Sequence, residues 1–234
     1  MVNVNTVYQT VLALADKDQG GYITPQEFNL FAKHAQNEIF EQYFYDLNQF
    51  KRVPGNQSDY ADAIGIIQDK ISAFIKTQFY GAGSTHALPP DFYRISLVSV
   101  DGNTAEKTDR EQQENYKPAL LRPTKFRPIF YLFRNRSTNN VQTFIVRPAA
   151  DSQIYLSYIK RPLAANWTYI VSQNAKKPLY NASAADHRHF ELHSSEEKNL
   201  IHKILQLAGI STKDFNTAQF ANAEEVKSIQ QEKS

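Results

Sequence analysis

The chain has 234 residues, enough for one large domain or two small ones around a real buried core. Its 26 Lys and Arg are interspersed with 24 Asp and Glu for a net charge of +2, which argues against a dedicated nucleic-acid binder. There is no cysteine, which excludes disulfide frameworks, thiol nucleophiles and cysteine metal sites, and fifteen Phe with thirteen Tyr exclude a disordered chain.

Residues 1–5 have neither a basic region nor a continuous apolar core, so a signal peptide is not expected. No apolar run approaches bilayer length, and a soluble protein with no membrane partner is expected. Val7, Val11, Leu12 and Leu14 recur at helical spacing and predict a first helix over about residues 5–15. Gly20-Gly21 breaks it. Thr24 as cap, Pro25 at the first helical position and Glu27 three residues on then predict a second start through a capping box. That helix carries a stripe of Phe28, Phe31, Ala35, Ile39, Tyr43, Leu47 and Phe50, and stops before Pro54-Gly55-Asn56. A third helix, capped by Ser58 or Asp59, runs through Tyr60, Ile64, Ile67, Ile71, Phe74 and Ile75.

From residue 81 the helical period gives way to Pro, β-branched and aromatic residues, the pattern of strands and turns. Strands are expected at 129–133, 143–148 and 154–162. Residues 101–117 read as a mobile loop with a turn at Gly102-Asn103, and 134–140 and 174–187 as further polar loops. Ser194 with Glu197 predicts a capping box for an amphipathic helix bearing Leu200, Ile201, Ile204, Leu205 and Ala208, closed by Gly209. Residues 211–234 are polar, with Phe215, Phe220 and Val226 as isolated apolar anchors suited to docking on a partner. The resulting expectation is an α+β protein. Three N-terminal helices (1–80) and a C-terminal helix with its tail (191–234) form a bundle, and an antiparallel β-sandwich or barrel (81–190) is inserted between them.

Residues 16–27 match the register of an EF-hand calcium loop, with Asp16, Asp18 and Glu27 at ligand positions and Gly21 at the required glycine. Gly20 removes one oxygen ligand, no second loop exists, and the capping box explains the same residues, so no metal is expected. His187, His189 and His193 form the one histidine cluster, but no supported third ligand accompanies 187 and 189. No Gly-x-Ser-x-Gly elbow, phosphate-cradling glycine loop or His-Glu-x-x-His motif is present. Neither an enzyme nor a cofactor is expected. Arg147, Lys160 and Arg161 sit at strand ends, placed to meet phosphates or a neighbouring subunit's carboxylates. The aromatic stripe Phe40, Tyr43, Phe44 and Tyr45 fits either a core or a protein interface.

Leu88-Pro89-Pro90-Asp91-Phe92, Tyr155-Leu156-Ser157-Tyr158-Ile159-Lys160-Arg161-Pro162 and the C-terminal helix frame a strand-rich middle over residues 88–171. This layout resembles the neck proteins of tailed bacteriophages, and most closely the ring proteins of short-tailed, crAss-like phages. The resemblance implies a non-enzymatic virion protein, made in the host cytoplasm, that forms a homo-oligomeric and usually twelvefold ring. Its implied partners are the portal, further neck and tail rings, and genomic DNA passing non-specifically through the channel. Two other readings remain at this stage. One is an outward-facing carbohydrate- or receptor-binding module using Trp167, Tyr169 and Tyr180, and the other an EF-hand-like calcium-binding protein.

Overall fold

The computed structural model describes residues 1–17, 23–52, 58–116, 118, 120–134, 142–171 and 178–212. The fold is mixed α+β, with four α-helices among the described residues and a nearly closed, barrel-like sheet. In chain order come α1 (Val4–Lys17), α2 (Pro25–Arg52), α3 (Ser58–Ser72), β1 (Ile75–Ala87), β2 (Phe92–Val100), β3 (Asn103–Thr104) and β4 (Glu106–Lys107). A 3-10 turn (Glu111–Tyr116) precedes β5 (Ile129–Arg134), β6 (Gln142–Lys160), β7 (Tyr169–Val171) and β8 (Pro178–Tyr180). A second 3-10 turn (Ser194–Glu196) leads into α4 (Glu197–Thr212). The chain divides into a helical unit, Met1–Ala73 with Pro162–Ser234, and a β unit, Phe74–Arg161.

In the helical unit, α2 starts as its residues require. The Glu27 carboxylate accepts from the Thr24 amide at 2.9 Å and from its hydroxyl at 2.7 Å, while the Glu27 amide donates to the Thr24 hydroxyl at 3.3 Å. These bonds hold the Glu27 carboxyl below the usual carboxylate range, the Thr24 hydroxyl being the largest cause. Helix α4 packs against α1 and α2, and α2 against α3. Val7, Val11, Phe28, Ala32, Leu200 and Ile204 are fully buried there. Each of these side chains larger than alanine contributes on the order of 1.5–3 kcal/mol when removed from water. Two ion pairs hold the helices from the side, Lys70 to Glu196 at 2.7 Å and Lys203 to Glu38 at 2.9 Å.

Several expectations are corrected in this unit. Helix α3 ends at Ser72, and Ile75 opens a strand, because Ile75–Ala87 pairs along β6 and that ladder overrides the local helical spacing. His193, not Ser194, caps the short 3-10 turn that leads into α4. Helix α4 then continues through Gly209 to Thr212, where a glycine costs helix stability without ending the helix. Residues 162–190 belong with the helices and residues 74–80 with the strands, so the β unit both starts and ends earlier than expected.

The β unit is organised by β6, nineteen residues long, which unites the two strands expected at 143–148 and 154–162. Strand β1 runs antiparallel to both halves of it. β5 pairs with its N-terminal half through Ile129↔Arg147 to Arg134↔Gln142, and β2 with its C-terminal half through Phe92↔Lys160 to Val100↔Ile154. The short β3–β4 stretch bridges β2 to β5, with Ala105 N donating to Val98 O at 2.8 Å and Thr108 N to Phe130 O at 2.9 Å. The pairing circuit β5–β6–β2–β3/β4–β5 thus comes back on itself. Residues 103–108 are therefore part of the sheet, not a mobile loop, and Ala105 and Thr108 are buried. The polar character of the stretch misled because Thr104, Glu106 and Lys107 are exposed while only Ala105 and Thr108 between and after them turn inward.

Alternation fixes which side chains enter the core. On β5 and β6, the opposed pairs Phe130↔Val146 and Leu132↔Phe144 face the apolar cluster with Val98, Val100, Ile154 and Leu156. The intervening pairs, Ile129↔Arg147 and Tyr131↔Ile145, face the other way. Near its middle β6 bulges. Gly83 pairs with Ala150 and Thr85 with Ile145, so residues 146–149 stand opposite Ser84 alone.

Candidate functional site

The feature best placed to meet another molecule is a groove of about 950 Å³ on the outer face of the β5–β6 pair. Alternation brings Ile129 and Tyr131 to it from β5, and Ile145 and Arg147 from β6. The bulge exposes Pro148 and Ala149 beside Ser84 and Thr85 of β1, and Tyr116 comes from the end of the first 3-10 turn. Arg122 completes it. The lining contains two guanidinium groups, several hydroxyls and an apolar floor, and among the described residues no carboxylate lines it. Both arginines are exposed. Chemically the groove suits an oxyanion, because a planar guanidinium grips a carboxylate or phosphate with paired N–H donors.

The chain segment that brings Arg122 and Pro123 to the groove also carries three exposed large apolar side chains. Leu120 is 96% exposed, Phe126 88% and Leu121 53%. Phe126 rides a tight turn closed by reciprocal Thr124–Arg127 backbone bonds at 3.3 and 3.0 Å. That turn is pinned from outside. Asn103 Nδ2 donates to Lys125 O at 3.1 Å, the Lys125 ammonium pairs with Asp151, and Arg127 pairs with Glu106 at 3.1 Å. The turn thus holds an aromatic side chain in water, and aromatic residues are enriched at contact surfaces.

A second arrangement joins the segments that carry the phage resemblance. Asp91 accepts from Lys76 Nζ at 2.8 Å and from the Tyr158 hydroxyl at 3.0 Å, and its carbonyl accepts from the Arg161 amide at 2.8 Å. Burial alone would raise the Asp91 carboxyl, but the Lys76 and Tyr158 bonds outweigh it and hold it below the usual range. Burial, then the Asp91 bond, pushes the Tyr158 phenol up to about 12. The two motifs therefore form one structural joint between β1, β2 and the end of β6.

Arg147 lines the groove, whereas Lys160 ends β6 thirteen positions further on, Arg161 follows the strand, and neither lines the groove. The Arg161 guanidinium lies 5.8 Å from the centre of the Tyr93 ring. Glu27 is committed to its cap, Asp16 lies in α1, and Asp18 is outside the described residues, as are Phe215, Phe220 and Val226. Phe40, Tyr43 and Phe44 are buried, so most of that stripe is core, while Tyr45 remains 57% exposed.

Trp167 is buried, which removes the exposed aromatic platform on which a carbohydrate-binding reading rested. Its indole N–H donates to Asn5 Oδ1 at 3.0 Å, and its ring stacks with Tyr169 and Tyr180 at 5.8 and 5.9 Å. His187 meets the Tyr180 hydroxyl through Nε2 at 2.8 Å, and His189 Nδ1 accepts from the Val4 amide at 3.3 Å. Each of these two rings thus has one nitrogen engaged by the protein. Among the described residues no group of three His, Asp or Glu could hold a metal ion, and no helix is long and apolar enough to cross a membrane.

Sequence reasoning missed Arg122, Tyr116, Ser84 and Thr85. One signal was available. Arg-Pro occurs four times, at 122, 127, 147 and 161, and the residue before proline is held extended, which projects a guanidinium from a strand or loop end. The chain matches no protein-family model and no curated protein.

Proposed function

We propose that the chain is a head-to-tail connector of a tailed bacteriophage, an adaptor ring that joins the portal to the tail and forms part of the DNA channel. The observation that carries this reading is the joint at Asp91. Two short motifs of the neck-protein layout, far apart in sequence, meet there through Lys76, Tyr158 and Arg161, at the point where the β unit leaves and rejoins the helical chain. In this reading the helices form a bundle, the strands an inserted sandwich or small barrel, and the ring closes by head-to-tail contacts between identical subunits. The segment bearing Phe215, Phe220 and Val226 docks on the portal.

The test is co-expression with the portal protein of the same genome, followed by electron cryo-microscopy of the purified complex. A closed ring of this chain stacked on the portal is expected. A variant ending at Thr212 should keep its melting temperature and lose the portal. A full-length chain that neither co-purifies with the portal nor appears in the density overturns the reading.

A further inference from the structure

The near-zero net charge conceals two opposite halves. The β unit carries thirteen Lys and Arg against seven Asp and Glu, a formal charge of +6, and the helical unit thirteen against seventeen, or −4. The β unit has a shaped receptor in the groove with Arg122 and Arg147, and Leu120 and Phe126 are exposed on the segment that carries Arg122. The acidic side presents a matching ridge on the outer face of α2. Leu30 and Tyr45 are exposed there at 53% and 57%, and the exposed Glu41 lies between them on the same helical face. Each surface thus has a charge set among large apolar side chains, with the sign opposite on the other.

We propose that the groove of the β unit on one copy receives the α2 ridge of a second copy, with Glu41 directed at Arg122 and Arg147. The groove of one copy takes the ridge of the next, and in the ring reading these contacts repeat head to tail until the ring closes. A second copy fits better than a nucleic acid. Phosphate backbones are met by polar and basic surfaces, whereas Leu120, Leu121 and Phe126 add apolar area that the exposed Leu30 and Tyr45 of a second copy would cover. Charge complementarity sets the register and speeds encounter, and buried apolar area supplies the hold. The inference rests on the ring reading for its biological sense, but its test needs no portal, so the two fail separately.

The experiment is sedimentation velocity of the full chain with two charge-reversed forms. Wild type should associate with rising concentration at about 20 mM salt and dissociate at about 300 mM, where screening shortens the reach of exposed charges. Arg122→Glu with Arg147→Glu removes the groove, and Glu41→Lys removes the ridge. Each alone should weaken association at least about tenfold. Mixed, they should associate again and grow past a dimer, because the intact groove meets the intact ridge and the reversed groove meets the reversed ridge. Circular dichroism checks that each variant is folded, and Arg122→Gln with Arg147→Gln replaces the reversal if it is not. A wild type that stays monomeric at low salt, variants that assemble like wild type, or a mixture that does not associate would each overturn the proposal. So would loss of single-stranded DNA retention in the groove variant with self-association unchanged, which would make the groove a nucleic-acid site.

Discussion

The carboxylate of Asp101 lies 2.9 Å from the amide of Gln153, and this contact marks where β6 turns from one half of the sheet to the other. The same carboxylate accepts the amides of Asp151 at 2.8 Å and Ser152 at 3.0 Å. Asp101 (φ 47°) and Gly102 (φ 88°) both have positive φ, as a tight primed turn between β2 and β3 requires. Three backbone donors of the β6 bend thus end on one side chain from the neighbouring hairpin.

Asp101→Ala should lower the thermal midpoint of the β unit, and Asp101→Asn should lower it less because the amide oxygen still accepts. The amides of Gln153 and Asp151 are the largest causes holding the Asp101 carboxyl below its ordinary value. A depressed folded-state carboxyl gives stability that is fully present above the unfolded value of about 3.9 and is lost as pH falls through the lower folded value. Urea midpoints between about pH 2 and pH 5 should therefore fall more steeply in wild type than in Asp101→Asn. Parallel curves would remove the assigned role.

The buried pair Lys70–Glu196 supports a prediction in the helical unit. Its side chains are only 13% and 4% exposed, and Glu196 also accepts from Asn199 Nδ2 at 3.1 Å. Lys70→Met leaves a buried carboxylate without its cation and should cost about 3–5 kcal/mol by urea denaturation. Adding Glu196→Gln neutralises that carboxylate and keeps an acceptor for Asn199, so the double variant should recover most of the loss. A double variant as unstable as the single would show that packing of the Lys70 stem matters more than its charge.

Much of this fold was legible because local and tertiary preferences agree. Thr24-Pro25-Gln26-Glu27 predicts the start of α2, and the bonds between Thr24 and Glu27 sit where the capping box places them. Legibility failed where long-range pairing decides. Ile75 continued a helical stripe and went into a strand because β6 offered it Ile159 as a partner. Residues 103–108 looked like solvent-facing loop, yet they close the sheet circuit. The Asp101 contact spans about half a hundred residues and leaves no periodic trace. The groove was half legible. Arg147 stood out at a strand end, but Arg122 and Tyr116 reach it through a fold that no single segment encodes.

Calcium should be irrelevant to residues 16–27. Both Thr24 bonds to the Glu27 carboxylate use Oε2, and that carboxylate would have to leave the cap to become a bidentate ligand. Gly20 supplies no side-chain oxygen in compensation. Calorimetric titration is expected to show no saturable heat at micromolar calcium, and the melting temperature should not rise with added calcium. Saturable binding that Asp16→Ala abolishes would restore the EF-hand.

The last prediction concerns acid sensitivity of the helical unit. His187 lies between the Tyr180 hydroxyl, 2.8 Å from its Nε2, and the His189 ring, 4.7 Å away edge-on. Burial is the main cause that pushes the His187 imidazole below its ordinary value, the His189 charge adds to it, and Asp186 opposes both. A depressed histidine binds its proton more readily in the unfolded chain. Its stabilising effect is therefore complete above the unfolded value of about 6.5 and declines as pH falls below it. Protonation would also abolish the acceptor role that Nε2 can play toward the Tyr180 hydroxyl. The Tyr180 ring stacks on Trp167, whose indole holds Asn5 at the start of α1, so loosening at His187 reaches the packing of the first helix. The chain has a single tryptophan, and its fluorescence reports on that cluster directly. Wild type should show a lower unfolding midpoint at about pH 5 than at about pH 7, and His187→Phe should flatten that difference. A midpoint independent of pH in this window, or a slope that survives in His187→Phe, would transfer the effect to another group.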